Sequence, residues 1–347
     1  MAKRYRIGFV KGDGVGPEII EAALEVLPHL ELDVELVELE AGYRFYEMTG
    51  KVVEEGFFEE AKRLDAIIKG PLYTPSHDPS FKSVNVLIRR ELDLYANVRP
   101  FKSFRGVSLK DFDFVIFREN TEGEYVGVEG MFGDIAVSLR FVSRRGSERI
   151  SRLAFFYAKA RGYKRVTAVH KANILKLSDG LFRQTFFNVA ESFPEIVADE
   201  VIVDTAAYAL VKNPEKFQVL VTPNLYGDIL SDLAGGLLGS LGLCGSALIG
   251  DVVGVFEPVH GVAYDIAGKG VANPVGMLIA LKLMLEYLGQ RYGNLETLRK
   301  AEVLENSIRR VLEVRRVWTP DLGGQHGTRD VVAAVVEEVS DTLRQTR

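Results

Sequence analysis

Cysteine is almost absent from this chain of 347 residues, which contains only Cys244. A single cysteine excludes an intramolecular disulfide framework and fits a reducing compartment. No basic neighbour favours a reactive thiolate, so we expect Cys244 to pack in the core. An excess of charge of one sign is also absent, since the formal net charge is −5. This balance gives no general reason to expect nucleic acid or an anionic membrane as a partner.

Long uncharged runs are rare as well. We expect no signal peptide, because the apolar run at residues 7–10 is too short for one. The run at residues 233–250 is long enough to span a bilayer, but it contains six glycines and follows the charged segment GDILSD. We interpret it as a buried helix followed by a glycine-rich turn, near a subunit interface. We therefore expect a cytoplasmic protein without a membrane partner.

The amino-terminal turn KGDGVGPE lacks one glycine of the dinucleotide-binding fingerprint. Gly12 and Gly14 match the first two glycines, but Pro17 stands where the third is required. Proline suits the first turn of a helix, where its missing N–H costs nothing. The pattern favours a tight strand-to-helix turn that binds no phosphate itself over a phosphate-binding loop.

Apolar runs of strand length alternate with amphipathic segments of helical length, which is typical of α/β architecture. Between residues 107 and 145 two strand-like runs occur without a helix between them, which predicts a β-rich subregion. The chain from residue 273 onward is mostly helical. No repeat or long linker divides the sequence, so any domain boundary falls within continuous structure.

Two acidic residues in GDILSD are four positions apart. On a helix, Asp228 and Asp232 would share one face. The favourable interaction of acids with a helix amino terminus explains Asp228 better than Asp232. Two aligned carboxylates are alternatively a site for Mg²⁺ or Mn²⁺, which prefer oxygen ligands. Asp204, at the end of a strand-like run, is a candidate third ligand.

Three arginines interrupt or end apolar runs: Arg89, Arg99 and Arg118. For any one of them a surface position is the usual alternative. Opposite an acidic metal site, the three would suit a substrate with several carboxylates, each bound through bidentate hydrogen bonds. Arg90, directly after Arg89, is expected to point to solvent.

Two more residues are candidates for proton transfer. Lys171 follows a strand-like run, and near a metal and other cations its ammonium group would lose a proton more readily. Tyr125 is a candidate phenolic proton donor. An exposed lysine and a packed aromatic ring are the alternatives for these two.

Taken together, six segments resemble the β-decarboxylating dehydrogenases, the family of isocitrate, 3-isopropylmalate and homoisocitrate dehydrogenases. They occur in the family's order and spacing: GDGVGPE, RRELDLYANVRP, FRENTEGEYVG, HKANILK, GDILSD and EPVHGVAYDIAGKGVANP. The resemblance implies an α/β, isopropylmalate dehydrogenase-like two-domain fold and not a Rossmann fold. It also implies a large cofactor-binding domain from residues 1–95 plus 240–347. A small domain from residues 96–239 would contain the dimer interface and a clasp arm at about 126–145.

The family's cofactor segment corresponds to residues 257–274. By the resemblance, Asp265 and Ile266 favour NAD, because a carboxylate at 265 would bind ribose hydroxyls and repel the 2′-phosphate of NADP. The positions expected to contact the cofactor are Leu72, Thr74, Glu257, His260, Gly261, Asp265, Ile266 and Asn273.

The resemblance also assigns the remaining roles. The clamp on the substrate carboxylates would be Arg89, Arg99 and Arg118, with Asn173 close to the substrate. The Mg²⁺ or Mn²⁺ ligands would be Asp228 and Asp232, with Asp204 of the partner subunit. The acid–base pair would be Tyr125 with Lys171 of the partner subunit. The protein would thus be a homodimer with shared active sites, a tetramer being left open, and would act on a small-molecule carboxylate.

The choice of substrate depends on the segment before Arg89. Ser83 and Asn85 match residues with which isocitrate dehydrogenases bind a third carboxylate, and the glutamate of isopropylmalate dehydrogenases is absent. Val86 stands where homoisocitrate dehydrogenases often have arginine. Val86 and Leu87 together leave an apolar substituent open. We expect homoisocitrate as the main substrate, with activity on isocitrate and 3-isopropylmalate, and either of these two as the alternative main substrate.

Two other functional classes are weighed against this expectation. A conventional Rossmann dehydrogenase is disfavoured by Pro17 and by the separate cofactor segment. A non-catalytic regulatory subunit usually lacks metal or acid–base residues, whereas this chain retains all five: Asp204, Asp228, Asp232, Lys171 and Tyr125.

Overall fold

The computed structural model describes residues 3–78 and 81–345. Its strands are β1 (Tyr5–Val10), β2 (Val34–Glu38), β3 (Ala66–Lys69), β4 (Ala96–Lys102), β5 (Asp113–Glu119), β6 (Glu129–Phe132), β7 (Ile135–Ser138), β8 (Arg165–His170), β9 (Val197–Ile202), β10 (Val219–Thr222), β11 (Gly245–Ile249) and β12 (Gly254–Pro258). Ten of them form one sheet in the order β2-β1-β3-β12-β11-β4-β5-β10-β8-β9. Strands β3 and β10 are buried throughout, as expected of parallel strands whose two faces are covered.

Helices pack on this sheet. They are α1 (Gly16–Val26), α2 (Tyr43–Thr49), α3 (Phe57–Ala61), α4 (Val84–Glu91), α5 (Arg144–Arg161), α6 (Ser178–Ala190), α7 (Val203–Lys212), α8 (Asn224–Leu238), α9 (Val275–Tyr292), α10 (Leu295–Arg310) and α11 (Thr328–Gln345). Pro17 lies in the first turn of α1, as its fixed φ favours. Cys244 is buried in the main hydrophobic core. The α/β class and the helical carboxyl-terminal third are therefore confirmed.

The interpretation of residues 233–250 as a helix followed only by a turn is wrong. Helix α8 ends at Leu238, but Gly245–Ile249 forms β11, antiparallel to both β12 and β4. The glycine marks a close approach: a Cβ at Gly245 would lie 2.6 Å from backbone atoms of Gly276 and Ala280 in α9. A short buried strand shows no polar alternation, so its glycines resemble those of a turn.

A two-stranded hairpin stands apart from the main sheet. Strands β6 and β7 pair only with each other among the described residues, in the region predicted to be β-rich. Met131, Phe132 and Ile135 are exposed on it. The assignment of this hairpin as the clasp arm remains a prediction.

The predicted domain boundary near residue 95 falls just before β4. This strand is antiparallel to both β11 and β5, and it joins the two halves of the sheet without a break. The division into residues 1–95 plus 240–347 and residues 96–239 remains a prediction. No helix within residues 3–78 and 81–345 combines the length and apolar character needed to cross a membrane.

Candidate active site

One cleft brings together residues from four elements and from the short 3-10 helix Glu124–Val126 that follows β5. Arg89 from α4, Arg99 from β4 and Arg118 from β5 line it with Asp228 from α8 and with Tyr125, which follows β5. The three arginines are 9%, 3% and 1% exposed. The side chain of the neighbouring Arg90, by contrast, is 70% exposed, as expected. The cleft is therefore a concentrated, largely desolvated group of cations.

Asp228 is the anion that these arginines face. Its Oδ1 lies 2.5 Å from Nη1 of Arg118 and 3.3 Å from Nη1 of Arg99. The approach of α8 to β5 depends on Gly227, because a Cβ there would lie 2.7 Å from the Cβ of Arg118. In the segment GDILSD, the glycine therefore allows the close approach of α8 to β5, and the first aspartate makes the contact with the arginines.

The arginine cluster retains unused hydrogen-bonding capacity. Nη2 of Arg118 and Nε of Arg89 are buried, and neither has a hydrogen-bond partner among the described residues. Burial, reinforced by the nearby Arg99 and Arg89, lowers the pKa of Arg118 to about 9. A bound polyanion would reduce the repulsion among the arginines and would accept hydrogen bonds from the unpaired donors.

Tyr125 and Asp228 form the acid–base part of the cleft. The hydroxyl of Tyr125 donates a hydrogen bond to Oδ2 of Asp228. Burial raises the pKa of Tyr125, so the phenol stays protonated and able to donate. Burial also acts to raise the pKa of Asp228, but Arg118 and Arg99 outweigh it and the pKa is lowered.

Asp232, one helical turn beyond Asp228, lacks such compensation. Its carboxylate has no hydrogen bond or ion pair within residues 3–78 and 81–345. Desolvation raises the pKa of Asp232, Arg99 opposes the shift, and Asp228 adds to it. Two oxygen-bearing groups on one face, one of them without a partner, fit a divalent cation.

Within the described part of the chain, however, no three His, Cys, Asp or Glu side chains are grouped to hold a metal ion. Asp204 lies in the first turn of α7 rather than at a strand end, and its side chain is 65% exposed. Lys171 Nζ donates a hydrogen bond to Asp204 Oδ1. Neither residue lines the cleft of Tyr125 and Asp228, and Asn173 is exposed outside it. One chain thus carries two separate groups of candidate site residues.

Sequence reasoning missed Lys69, which closes the inner wall of the cleft. Its Nζ lies 2.5 Å from Oε2 of Glu257 and donates to Oδ1 of Asn85 at 2.9 Å. Arg89 lies 3.4 Å from the other oxygen of Glu257. Burial acts to raise the pKa of Glu257, but Lys69 and Arg89 lower it to about 2. The only sequence signal for Lys69 was a lysine ending a buried strand, where α/β sites form.

The substrate-choice residues lie on the same side of the cleft as Lys69. Ser83 and Asn85 line the cleft together with Val86. Ser83 also caps α4, since its side chain accepts a hydrogen bond from the backbone N–H of Val86. Asn85 is held between Lys69 and the carbonyl oxygen of Leu72, to which it donates at 3.3 Å. This wall is predominantly polar.

A second, mostly apolar pocket adjoins the cleft. His260 and Gly261 line both cavities, and Ile266 and Asn273 line the second. Of the other predicted cofactor residues, Leu72 and Glu257 line the first cavity, whereas Thr74 and Asp265 are exposed and line neither. Burial lowers the pKa of His260, so its imidazole is neutral at pH 7. An apolar pocket joined to a cationic cleft by a neutral ring fits an adenosine-bearing cofactor.

Asp321, which the sequence did not point to, fixes the far wall of this pocket. It accepts hydrogen bonds from Ser240 Oγ at 2.5 Å and from Asn273 Nδ2 at 3.0 Å. Asn273 Oδ1 accepts from the backbone N–H of Val275 at the start of α9. Asn273 therefore has a structural role in the pocket wall.

Known proteins match this chain in sequence and structure over nearly its whole length. Residues 6–338 match the family described as isocitrate/isopropylmalate dehydrogenase. The chain is 43% identical to a 3-isopropylmalate dehydrogenase of Methanothermobacter thermautotrophicus, over 98% of this chain and 100% of the relative. It is 46% identical to an isocitrate/homoisocitrate dehydrogenase of Thermus thermophilus, over 96% and 98% of the two chains. A crystal structure of isocitrate dehydrogenase from Methylococcus capsulatus superposes with a TM-score of 0.92 at 42% identity, covering 97% of this chain and 99% of that one.

Proposed function

Since this chain belongs to the isocitrate/isopropylmalate dehydrogenase family, we propose that it catalyses the NAD-dependent oxidative decarboxylation of a 3-substituted malate to a 2-oxo acid. At the level of the family it is a β-decarboxylating dehydrogenase that acts on hydroxy acids. Family members use a divalent metal ion and a nicotinamide cofactor. The single observation that carries the proposal is the cleft that joins three buried arginines to Tyr125 and Asp228.

The arginines are the substrate-binding groups. Planar guanidinium groups bind carboxylates through paired hydrogen bonds, and a desolvated site strengthens each of them. The unpaired Nη2 of Arg118 and Nε of Arg89 provide donors for this purpose. A substrate with several carboxylates would be held with its hydroxyl-bearing carbon near Tyr125 and Asp228.

The residues that would hold Mg²⁺ or Mn²⁺ are Asp228 and Asp232, with Asp204 of the partner subunit. When bound, the ion would polarise the substrate hydroxyl and the nicotinamide would take up hydride from the carbon that bears it. Lys171 of the partner subunit would accept the hydroxyl proton. Tyr125, whose pKa is raised by burial, would deliver a proton to carbon after CO₂ is lost.

The separation of its parts supports a site that is shared between two subunits. Lys171 and Asp204 are paired on the surface of the chain, away from the cleft that needs them. A second copy that presents this pair to the cleft would supply the third carboxylate and the base. The exposed apolar side chains of β6 and β7 support the same assembly as a clasp, because such a surface favours association. We propose a homodimer and leave its pairing into tetramers open.

The polar wall favours a substrate with a third carboxylate. Ser83, Asn85 and the buried Lys69 all lie on the side of the cleft next to α4, where an isopropyl group would leave polar atoms unpaired. The 46% identical relative is named for isocitrate and homoisocitrate. Homoisocitrate is the proposed main substrate, with activity on isocitrate and 3-isopropylmalate. NAD is favoured over NADP because Asp265 would repel a 2′-phosphate.

The regulatory-subunit alternative has little support. The relatives named above are all dehydrogenases, and this chain retains every acid, base and metal-ligand candidate.

The decisive experiment is NADH production by the purified protein with Mg²⁺ and NAD. The three acids homoisocitrate, isocitrate and 3-isopropylmalate are compared by kcat/KM, and NADP is tried in parallel. Dominance of one tricarboxylate supports the assignment of Ser83 and Asn85. Comparable turnover of 3-isopropylmalate would show that Val86 and Leu87 accept an apolar group. Absence of turnover with every acid and both cofactors would refute the proposal.

A further inference from the structure

The glycine-rich turn KGDGVGPE contains a buried acid, Asp13, that no catalytic role accounts for. Asp13 is 2% exposed. Its Oδ1 accepts a hydrogen bond from the backbone N–H of Arg44 at 2.9 Å. Its Oδ2 accepts from the backbone N–H groups of Tyr43 at 3.0 Å and Tyr73 at 2.8 Å. One carboxylate thus joins the start of α2 to the loop that follows β3.

The loop held through Tyr73 supports the substrate-choice residues on both sides of it. The carbonyl oxygen of Leu72 accepts the amide hydrogen bond of Asn85 at 3.3 Å. The hydroxyl of Thr74 donates to Oγ of Ser83 at 3.3 Å. Residues directly before and after Tyr73 therefore orient the polar wall of the cleft, so a shift of Tyr73 would move both supports.

The same turn also holds the cofactor segment. The N–H of Val15 donates to the carbonyl oxygen of Val262 at 2.9 Å. The two backbones are so close that a Cβ on Gly14 would lie 1.9 Å from that oxygen. On the outer side, the rings of Tyr73 and Tyr264 meet edge to face with centroids 5.3 Å apart. Tyr264 directly precedes Asp265.

We propose that Asp13 is a positioning residue that fixes the position of the substrate-choice wall relative to the cofactor segment. The inference rests on the proposed function of the cleft and gives the turn KGDGVGPE a role other than phosphate binding. A carboxylate suits this role, because it accepts three backbone N–H groups at once without carrying a donor of its own. An asparagine in its place would turn an NH₂ group toward at least one of those N–H groups.

The test compares Asp13→Asn with the wild type. We expect kcat/KM for the best tricarboxylate to fall on the order of 10- to 100-fold, since charge-assisted hydrogen bonds are lost and Ser83 and Asn85 are displaced. We expect kcat/KM for 3-isopropylmalate to fall less, so that the ratio between the two acids decreases. Hydrogen exchange at the amides of Tyr43, Arg44 and Tyr73 should become faster. The matched control is Asp341→Asn, an exposed aspartate of α11, which should change none of these quantities.

A second variant covers the case in which Asp13→Asn does not fold. Tyr264→Leu removes the ring contact on the surface, where Tyr264 is 51% exposed. It should raise KM for NAD and for the tricarboxylate together, with kcat nearly unchanged.

Three outcomes decide between the possibilities. If Asp13→Asn lowers all activities equally and leaves the ratio between acids at its wild-type value, Asp13 only stabilises the fold and the proposal is overturned. If Tyr264→Leu leaves both KM values unchanged, the coupling of the two segments is overturned. If the wild type turns over none of the acids, the proposed function fails. In that case the rate of hydrogen exchange at the amide of Tyr73 still tests the role of Asp13, and a rate unchanged in Asp13→Asn would overturn it.

Discussion

The hydroxyl of Tyr125 donates a hydrogen bond to Oδ2 of Asp228, a residue 103 positions further along the chain. The bond holds the proposed proton donor beside a proposed metal ligand. In Tyr125→Phe the arginines remain in place, so KM for the hydroxy acid should change little. Because the donor is lost, kcat should fall about 100-fold or more. Steady-state NADH formation measures both constants. The matched control is Tyr292→Phe, because the hydroxyl of Tyr292 donates a hydrogen bond to Asp65 at the surface. An unchanged kcat in Tyr125→Phe would contradict the assignment of Tyr125 as the proton donor.

Arg89 and Arg90 are adjacent in sequence but differ in exposure, which provides a matched pair. In Arg89→Lys, paired hydrogen bonds to a carboxylate are lost, and KM for the hydroxy acid should rise about 10- to 100-fold. Arg90→Lys makes the same chemical change in a side chain that is 70% exposed, and KM should stay the same. Equal effects in the two variants would argue against a carboxylate clamp at Arg89.

A shared active site predicts recovery of activity from two inactive proteins. Tyr125→Phe and Lys171→Ala should each be nearly inactive as homodimers. After unfolding and refolding together, half of the dimers are mixed and each has one intact site, so about a quarter of the wild-type activity should return.

The control for this experiment combines two defects on the same side. A mixture of Tyr125→Phe and Asp228→Ala should recover nothing, because both residues line the cleft of one chain. Failure of Tyr125→Phe with Lys171→Ala to recover activity, when size-exclusion chromatography shows mixed dimers, would place the whole site within one chain.

Asp265 is predicted to set the preference for NAD. Removing its charge in Asp265→Ala should lower the ratio of kcat/KM for NAD over NADP by about tenfold, because one repulsive interaction with the 2′-phosphate is removed at an exposed position. The effect should decrease at high salt. Asp341→Ala is the charge-matched control. A ratio that does not change would show that Asp265 does not contact the ribose.

The lowered pKa of Glu305 predicts how the free energy of unfolding depends on pH. Burial acts to raise the pKa of Glu305, but Lys282, 2.9 Å away, together with Lys102 and Arg309, lowers it to about 2. A lowered folded-state pKa gives stability that is complete above the ordinary value of 4.5 and is lost as the pH falls toward 2. Glu305→Gln should therefore lower the free energy of unfolding at pH 7 by up to about 3 kcal/mol.

The measurement for Glu305 is urea unfolding of the wild type and of Glu305→Gln at several values between pH 3 and pH 7. The difference in unfolding free energy should shrink steadily below pH 4.5. Glu55→Gln, in a side chain that is 93% exposed, is the control and should show no such trend. A difference that does not vary with pH would mean that Glu305 contributes through packing and not through its charge.

Local patterns were enough for much of the fold and for many candidate site residues. The spacing of Asp228 and Asp232 places them on one face of α8, and helix geometry separates the directions of Arg89 and Arg90. Pro17 and the glycines around Asp13 indicated a tight turn at the start of α1. Each of these inferences depends on residues within a few positions of one another.

Residues paired over long distances could not be found in this way. Lys69 became notable only because Glu257 lies against it, and Asp13 only because Tyr43 and Tyr73 meet at its carboxylate. Strand β11 escaped prediction because it is short and buried, and its glycine serves the packing of α9. None of these pairings leaves a periodic signal in the sequence.

The sequence by itself determined the α/β class, the family and the kinds of groups available for chemistry, because helix and strand periods and short motifs are local properties. Tertiary structure decided which of these groups meet. It placed Arg99 and Arg118 against Asp228. It also held the substrate-choice wall to the turn of Asp13 and left Lys171 with Asp204 on the surface, away from the cleft. The reason is physical: contacts between distant segments are set by how the elements pack around one sheet, and strand order is not written in any one segment.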